Sequence, residues 1–505
     1  MLIRMDIDGL FHSPEDRLAA FSQAQVHLYR HDTSLQDYFM QLQMDPMNGP
    51  RSSSREKRPP RHLVGQAIRS VDWASRLGQN RRIKTDVLFC PIPYFERKTE
   101  NQFLARTLLG LAQTDAKILC LLPGGAPCRG ELDAQLAGSG RKGQVEFIDP
   151  AQVSSSMEAR ARVRLSRMRG RLAFETVVSI LEPYGLNPSR EVEGGFEHIA
   201  HFIEAWEHLE PLVEFDAVVA RCHWHALCSP VCRTARQRGK PIITFQQGVI
   251  GHTLDVPLTA SKFVAFGQPS AEFLKQANNR FFQACDMHEP HVDYINAGCL
   301  FDTIIDLPDQ FPLHTLLIVD VPGPQDDFYG VQSQSQALIQ LADRLLCSEP
   351  PPCRVVIRPH PFWNDLDFEA CKRLVRKHRN RCELSHPSWS LEDDLRRSSA
   401  VAGIFSGVLT VASACGLPTY FLQTEQGYTT GDLACFSPDQ TLLPDAAFCE
   451  ISRIMTDRRA YTEAQTVALR NGREYYAAGA SADLDAKFFE RLLRIEPAIS
   501  RTRMS

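Results

Sequence analysis

Val355-Val356-Ile357-Arg358-Pro359-His360-Pro361, read with Ala400-Val401-Ala402-Gly403-Ile404-Phe405-Ser406-Gly407, decides the fold. Each stretch is a short apolar run that stops abruptly at polar, rigid or glycine residues. A buried parallel strand has this pattern where it delivers side chains to the carboxyl edge of its sheet. In open α/β sheets, ligands bind outside that edge. A His-Pro pair at one edge and a Ser-Gly pair at another point to a pocket for a phosphorylated ligand. The chain reads as an enzyme.

Outward from these runs, strands and helices alternate in two series. The first holds apolar runs at 86–93, 117–125, 145–149, 215–221, 241–248, 262–267 and 293–298, with helical spacing from Ser155 to Leu181 and around Arg233 to Arg238. The second begins at Thr315-Leu316-Leu317-Ile318-Val319-Asp320, passes through the two diagnostic runs and ends in the strand Thr419-Tyr420-Phe421-Leu422. Such alternation predicts right-handed crossovers and a parallel sheet covered on both faces. The fold class is therefore α/β: two doubly wound, Rossmann-like domains facing across a cleft. Expected bounds are an accessory segment at 1–80, a first domain at 81–305, a second at 306–475, and a helix and tail at 476–505. Helical periodicity runs from Ala447 to about Ile495, where Leu492 and Leu493 offer a face for docking on the first domain. Pro308 and Pro312 mark a hinge near Asp302 to Phe311.

Composition narrows the class. A chain of 505 residues, 43% hydrophobic and 23% charged, suits a soluble protein of two or three domains. A net charge of −4 speaks against a nucleic-acid partner. No run reaches the roughly 20 apolar residues of a membrane span, and no apolar signal core follows Arg4, Asp6 and Asp8. Fifteen cysteines, an odd number scattered through apolar runs, read as reduced cytosolic thiols. The basic stretch from Arg51 to Arg61 reads as a solvated connector, with peripheral contact to an anionic membrane at the inner face as the alternative.

The second-half motifs resemble a known class. Arg358-Pro359-His360-Pro361, then Ser406-Gly407-Val408-Leu409 with Ala412 and Gly416-Leu417-Pro418, look like the donor half of GT-B glycosyltransferases. The nearest likeness is to bacterial capsule and lipopolysaccharide enzymes: Kdo-transferring capsule proteins, sialyl- and polysialyltransferases, and polyol-phosphate transferases. Gln246-Gln247-Gly248 and Phe266-Gly267 fit the same layout. The resemblance covers the last three-fifths of the chain. It implies a nucleotide-sugar donor, favouring a CMP-linked acidic sugar, and a glycan or glycolipid acceptor. It implies no cofactor and no metal. A CDP-polyol phosphotransferase, a nucleotide-sugar 2-epimerase-like isomerase and a non-catalytic scaffold of the same fold are the alternatives.

The residue chemistry agrees with a donor site. His360 at a strand end can stabilise charge growing on a leaving phosphate, and Pro359 and Pro361 restrict the backbone on either side. Arg358 can fork onto a phosphate or hold the loop through an internal ion pair. Ser406, Gly407 and Val408 open a helix whose unpaired N–H groups form an anion site, unless Ser406 is a plain cap. Gly323 follows the first strand of this half and can approach the same nucleotide. No Gly-x-Gly-x-x-Gly fingerprint follows the first strand of either series, and no Gly-Lys-Ser/Thr loop is present, which disfavours a dinucleotide cofactor or an ATPase.

An acceptor base is harder to choose. Gln247-Gly248 stands where polyol-phosphate relatives carry His-Gly, and glutamine cannot take a proton. His252, Glu193 and the pair His223/His225 are the candidates. Cys222, His223, His225, Cys228 and Cys232 form a zinc-like set without a Cys-x-x-Cys knuckle, so a strand-to-helix junction is preferred.

Overall fold

The computed structural model describes residues 14–31, 38, 82–91, 98–122, 129–140, 144–148, 156–184, 193–223, 225, 228–248, 256–301, 304–311, 313–319, 331–359, 365–386, 388–404, 406–423, 431–436 and 439–494. In chain order the strands are β1 (Ile83–Lys84), β2 (Val87–Cys90), β3 (Ile118–Leu121), β4 (Val145–Ile148), β5 (Val213–Glu214), β6 (Ala217–Ala220), β7 (Ile242–Phe245), β8 (Lys262–Ala265) and β9 (Asp293–Asn296), then β10 (Thr315–Val319), β11 (Arg354–Arg358), β12 (Cys382–Leu384), β13 (Ala400–Gly403), β14 (Thr419–Leu422) and β15 (Thr441–Leu442). The helices are α1 (Pro14–His31), α2 (Lys98–Ala112), α3 (Arg129–Gly138), α4 (Ser156–Leu181), α5 (Glu193–Leu209), α6 (Ser229–Gln237), α7 (Gln268–Ala284), α8 (Val331–Cys347), α9 (Asp365–Lys377), α10 (Leu391–Arg396), α11 (Gly407–Ala414), α12 (Pro444–Thr456), α13 (Arg458–Tyr475) and α14 (Ala486–Leu493).

Two large parallel sheets result, beside the two-stranded pair β1-β5. The first runs β4-β3-β2-β6-β7-β8-β9 and the second β12-β11-β10-β13-β14-β15. Renumbered within each half, both orders begin 3-2-1-4-5-6, the doubly wound Rossmann order. Each sheet therefore has a switch point where successive connections leave in opposite directions: β2/β6 in the first and β10/β13 in the second. Every residue of β2, β3, β6, β7, β13 and β14 is buried. That accounts for their unbroken apolar runs, since both faces are covered by helices.

The two sheets share a core. One apolar cluster passes from Val219, Ile243, Phe245 and Val264 through Phe266, Tyr475 and Tyr476 to Leu317, Val319 and Val401. Residues just beyond the carboxyl ends of β7 and β14 meet there: Gln246 hydrogen-bonds Asp432. The strand edges expected to carry chemistry thus face each other.

The ends of the chain differ from the sequence expectation. Part of the accessory segment is integral to the first sheet's layer, because α1 packs on it and Gln25 Nε2 donates to the Val256 carbonyl at 2.6 Å. Arg30 adds bonds to the carbonyls of Ala284 (2.6 Å) and Cys285 (3.1 Å). Weak apolar spacing hid this helix, whose anchors are polar side chains reaching distant backbone. The carboxyl-terminal periodicity is broken into α12, α13 and α14; Asp457 ends α12 and caps α13 through Arg459 N at 2.8 Å. Helix α14 lies on α2, with Phe489 fully buried. A Cβ on Gly110 would meet the Phe489 ring at 2.7 Å, so only glycine lets the two helices approach this closely. Among the described residues no helix is long and apolar enough to cross a membrane.

Candidate functional site

The second switch point positions the main candidate. β13 pairs with β10 and leads into α11, whose first residue is Gly407. Ser406 is the N-cap, its Oγ accepting from Val408 N at 3.2 Å. This is the capping role; with Leu409 N donating to Ser406 O at 3.1 Å, it leaves the Gly407 N–H at the sheet edge. Among the described residues a Cβ on Gly407 would meet nothing within 4 Å, so the backbone there has room for a ligand. Gly403 is different: a Cβ would come within 2.8 Å of Val319 Cγ2, so glycine allows β10 and β13 to close up beneath the switch.

Helix α11 is held rigidly from behind. Ser413 Oγ donates to Ala468 O at 2.8 Å and receives Gln440 Nε2 at 3.2 Å, while Asn471 Nδ2 donates to Gln440 Oε1 at 2.6 Å. All three side chains are buried and satisfied by one another, which fixes their geometry. Thr410 Oγ1 lies 2.7 Å from the Tyr476 hydroxyl. Gly472 packs on the backbone of Ser413 and Ala414, leaving no space for a side chain. A helix N-terminus fixed in this way is preorganised for an anion.

Arg358 closes β11, two strands from β13, and pairs with Asp394, whose side chain is 1% exposed. Ser385 Oγ donates to the same carboxyl at 2.7 and 3.0 Å. The ion-pair alternative is thus what the described residues show, with Asp394 presented by α10 under a Ser390–Asp393 capping box. His360, Pro361, Gly323 and His252 lie outside the described residues. Glu193 is the first residue of α5, where a carboxylate complements the helix dipole.

The facing edge of the first sheet holds residues that motif reading underrated. Arg221, 2% exposed, follows β6 at the first switch point. Its guanidinium lies 4.8 and 4.4 Å from the ring centres of Phe103 and Phe301, and Nη1 reaches the Gln246 carbonyl at 3.3 Å. A charged residue closing an otherwise apolar strand was the available signal. In Gln246-Gln247-Gly248 the first glutamine is structural. Fully buried, it accepts from Phe266 N at 2.7 Å and donates to Gly248 O at 2.8 Å and Asp432 Oδ2 at 3.2 Å. Asp432 Oδ2 also accepts from Ser270 Oγ at 2.6 Å and Tyr475 OH at 2.7 Å. Burial, then the charge of Asp432, pushes the Tyr475 phenol well above its ordinary pKa. Gln247 is half-buried, and its Nε2 is covered with no protein partner among the described residues.

His223 is 7% exposed, and its Nε2 also lacks a protein partner among the described residues. Burial drives its pKa from 6.5 to about 3, against an opposing backbone hydrogen bond at Pro257, with Arg236 lowering it further. The ring is therefore neutral at physiological pH. Its folded pKa lies below the unfolded one, so its stabilising contribution is complete above pH 6.5 and is lost as pH falls toward 3. His223→Asn should flatten that loss by on the order of 2–3 kcal/mol between pH 7 and 4.5. Thermal unfolding across this range checks it; an unchanged acid slope would leave His223 out of the pH response. Cys222, Cys228 and Cys232 are buried in the same apolar layer, and Cys228 Sγ donates to Cys90 O at 3.4 Å. Burial raises the Cys222 and Cys228 thiols, as expected of a packed junction.

A cavity of about 1100 Å³ opens at the opposite, amino edge of the second sheet, lined by His314, Arg354, Arg381 and Arg453 among others. Its position away from the strand carboxyl ends argues against a role as the donor pocket.

No protein-family model matches the chain, and no curated protein does. Among solved structures, the chain is similar to HepE from Anabaena in complex with UDP and glucose, at 12% identity over 81% of this chain and 99% of that one, with a TM-score of 0.46. It is similar to TarM at 9% identity over 81% and 99%, with a TM-score of 0.47. It is also similar to MurG from Acinetobacter baumannii at 12% identity over 81% and 99%, with a TM-score of 0.42. At such identities and scores a likeness says nothing of substrate or chemistry.

Proposed function

We propose that the chain is a GT-B-type glycosyltransferase that takes a sugar from a nucleotide-activated donor and passes it to a glycan or glycolipid. The observation that carries this reading is the α11 N-terminus: it sits at the switch point of a Rossmann-ordered sheet, is braced by α13, and has room for a ligand at Gly407. The donor phosphate binds there, against the Gly407 N–H group, with Ser406, which caps Val408, beside it. His360, two residues beyond Arg358 in the sequence, stabilises the departing phosphate. The chemistry needs no metal. On the His-Pro resemblance, the favoured donor is a CMP-linked acidic sugar and the product a capsule- or lipopolysaccharide-type polymer, made at the inner face of the membrane. His252 is the favoured acceptor base, with Glu193 and the pair His223/His225 as rivals. The low pKa of His223 makes it a weak proton acceptor.

Thermal unfolding with CMP, CDP, UDP and GDP tests the reading directly. A nucleotide that binds only the native state should raise the melting temperature, by about 2.7 kcal/mol of stabilisation at a hundredfold excess over Kd. Gly407→Val should abolish the rise while changing the unliganded melting temperature little, because a Cβ there meets none of the described residues within 4 Å. If no nucleotide stabilises the wild-type protein, the donor-site reading fails.

A further inference from the structure

The second domain carries a cluster that the proposed transfer does not use. Asp343 and Cys347 stand four residues apart on α8, so they share one face of the helix. His378 follows the last residue of α9. Its Nε2 lies 2.7 Å from Asp343 Oδ1 and 3.9 Å from Cys347 Sγ, and that sulfur lies 3.8 Å from Asp343 Oδ1. We propose that Asp343, Cys347 and His378 form a binding site for a zinc-class divalent cation, with water in the fourth position.

The donor set and its spacing support this. Thiolate, imidazole and carboxylate together suit a borderline-soft cation. Tetrahedral zinc, with the usual bond lengths, sets its ligand atoms about 3.6 Å apart for S···N, 3.6 Å for S···O and 3.4 Å for N···O. Two of the three edges are already within a few tenths of an ångström of those values. Only the His378–Asp343 edge must open, as a cation replaces the hydrogen bond.

The frame is fixed. Leu338, Leu341 and Leu345 of α8 pack with Cys371 and Leu374 of α9 in one buried cluster. The His378 backbone is tied down by its N–H to Leu374 O (3.0 Å) and by the N–H groups of Arg381 (2.8 Å) and Cys382 (2.9 Å) on its carbonyl. Cys347 is exposed, which gives a cation an entry path, whereas most described cysteines are buried. Lys377 Nζ lies 2.8 Å from both Asp343 oxygens. It can keep Oδ2 while Oδ1 turns to the cation, orienting the carboxylate from outside. The site lies at the far end of α8 from the strand edges, so it staples α8 to α9 and takes no part in transfer.

Cobalt(II) added to the reduced, metal-stripped full chain should give a thiolate-to-cobalt charge-transfer band that saturates at one equivalent and disappears on zinc addition. Cys347→Ser should remove the band, and His378→Ala and Asp343→Asn should each weaken binding by at least about tenfold. Cys449→Ser, at the other exposed described cysteine, should leave it unchanged. Zinc should raise the wild-type melting temperature and not that of Cys347→Ser. A wild-type protein without the band, or a band that survives Cys347→Ser, overturns the assignment.

Discussion

Asp432→Ala should lower stability by about 3–5 kcal/mol, the cost of removing one member of a buried, charge-bearing hydrogen-bond node. One carboxyl oxygen collects Ser270 Oγ, Tyr475 OH and Gln246 Nε2, and all three donors are fully buried. Gln246 Nε2 keeps its bond to Gly248 O, but the buried Ser270 and Tyr475 hydroxyls cannot turn to water when the acceptor is gone, so each is left a desolvated donor. The node also joins the halves: Gln246 and Ser270 belong to the first sheet's layer, Asp432 and Tyr475 to the second's. Calorimetry should therefore show a lower transition that separates into two, since a multidomain chain stops unfolding as one unit when the contact joining its parts is weakened. Asp432→Asn keeps an acceptor oxygen in the same place and should recover much of the loss. A melting temperature within about a degree of wild type for Asp432→Ala would mean that the apolar cluster alone holds the halves together.

What the sequence revealed follows from how each feature is encoded. Strands such as Val355–Ile357 and Ala400–Gly403 were legible because burial on both faces forces unbroken apolar runs with abrupt ends. The Ser406–Gly407 helix start was legible too, because capping is a local choice between neighbouring residues. The Asp432 node was not. Its members come from positions 246, 270, 432 and 475, and no local pattern marks a carboxyl that accepts from three distant segments. The motif Gln246-Gln247-Gly248 drew attention to the wrong glutamine. Successive residues at a strand end face opposite ways, and it is Gln246 that turns into the packed core while Gln247 is half-buried. Gly472 and Gly110 read as ordinary helix-weakening residues until the helices crossing them are known. The two-residue strands β1 and β5 pair only with each other and carry too few residues to show any period.

His360→Ala should lower turnover by roughly two to four orders of magnitude, about 3–5 kcal/mol in the barrier, with little change in melting temperature. Arg358 pairs in register with Val319 of β10, the strand that also borders β13. Pro359, which follows Arg358, therefore leaves the sheet at the same edge as Ser406. Arg358 itself is engaged by Asp394, so its charge is partly spent on holding the strand end. On the proposed reading, the histidine two positions on, flanked by prolines in the sequence, donates to the departing phosphate. Because the loss falls on the transition state, donor hydrolysis or transfer should slow while nucleotide-induced thermal stabilisation persists. The double variant with Gly407→Val should instead lose that stabilisation, separating binding at α11 from assistance at β11. Turnover near the wild-type level in His360→Ala would remove this residue from the chemistry. Loss of nucleotide stabilisation in the single variant would make it a binding group, and the assistance to the leaving phosphate would then have to come from the Gly407 N–H alone.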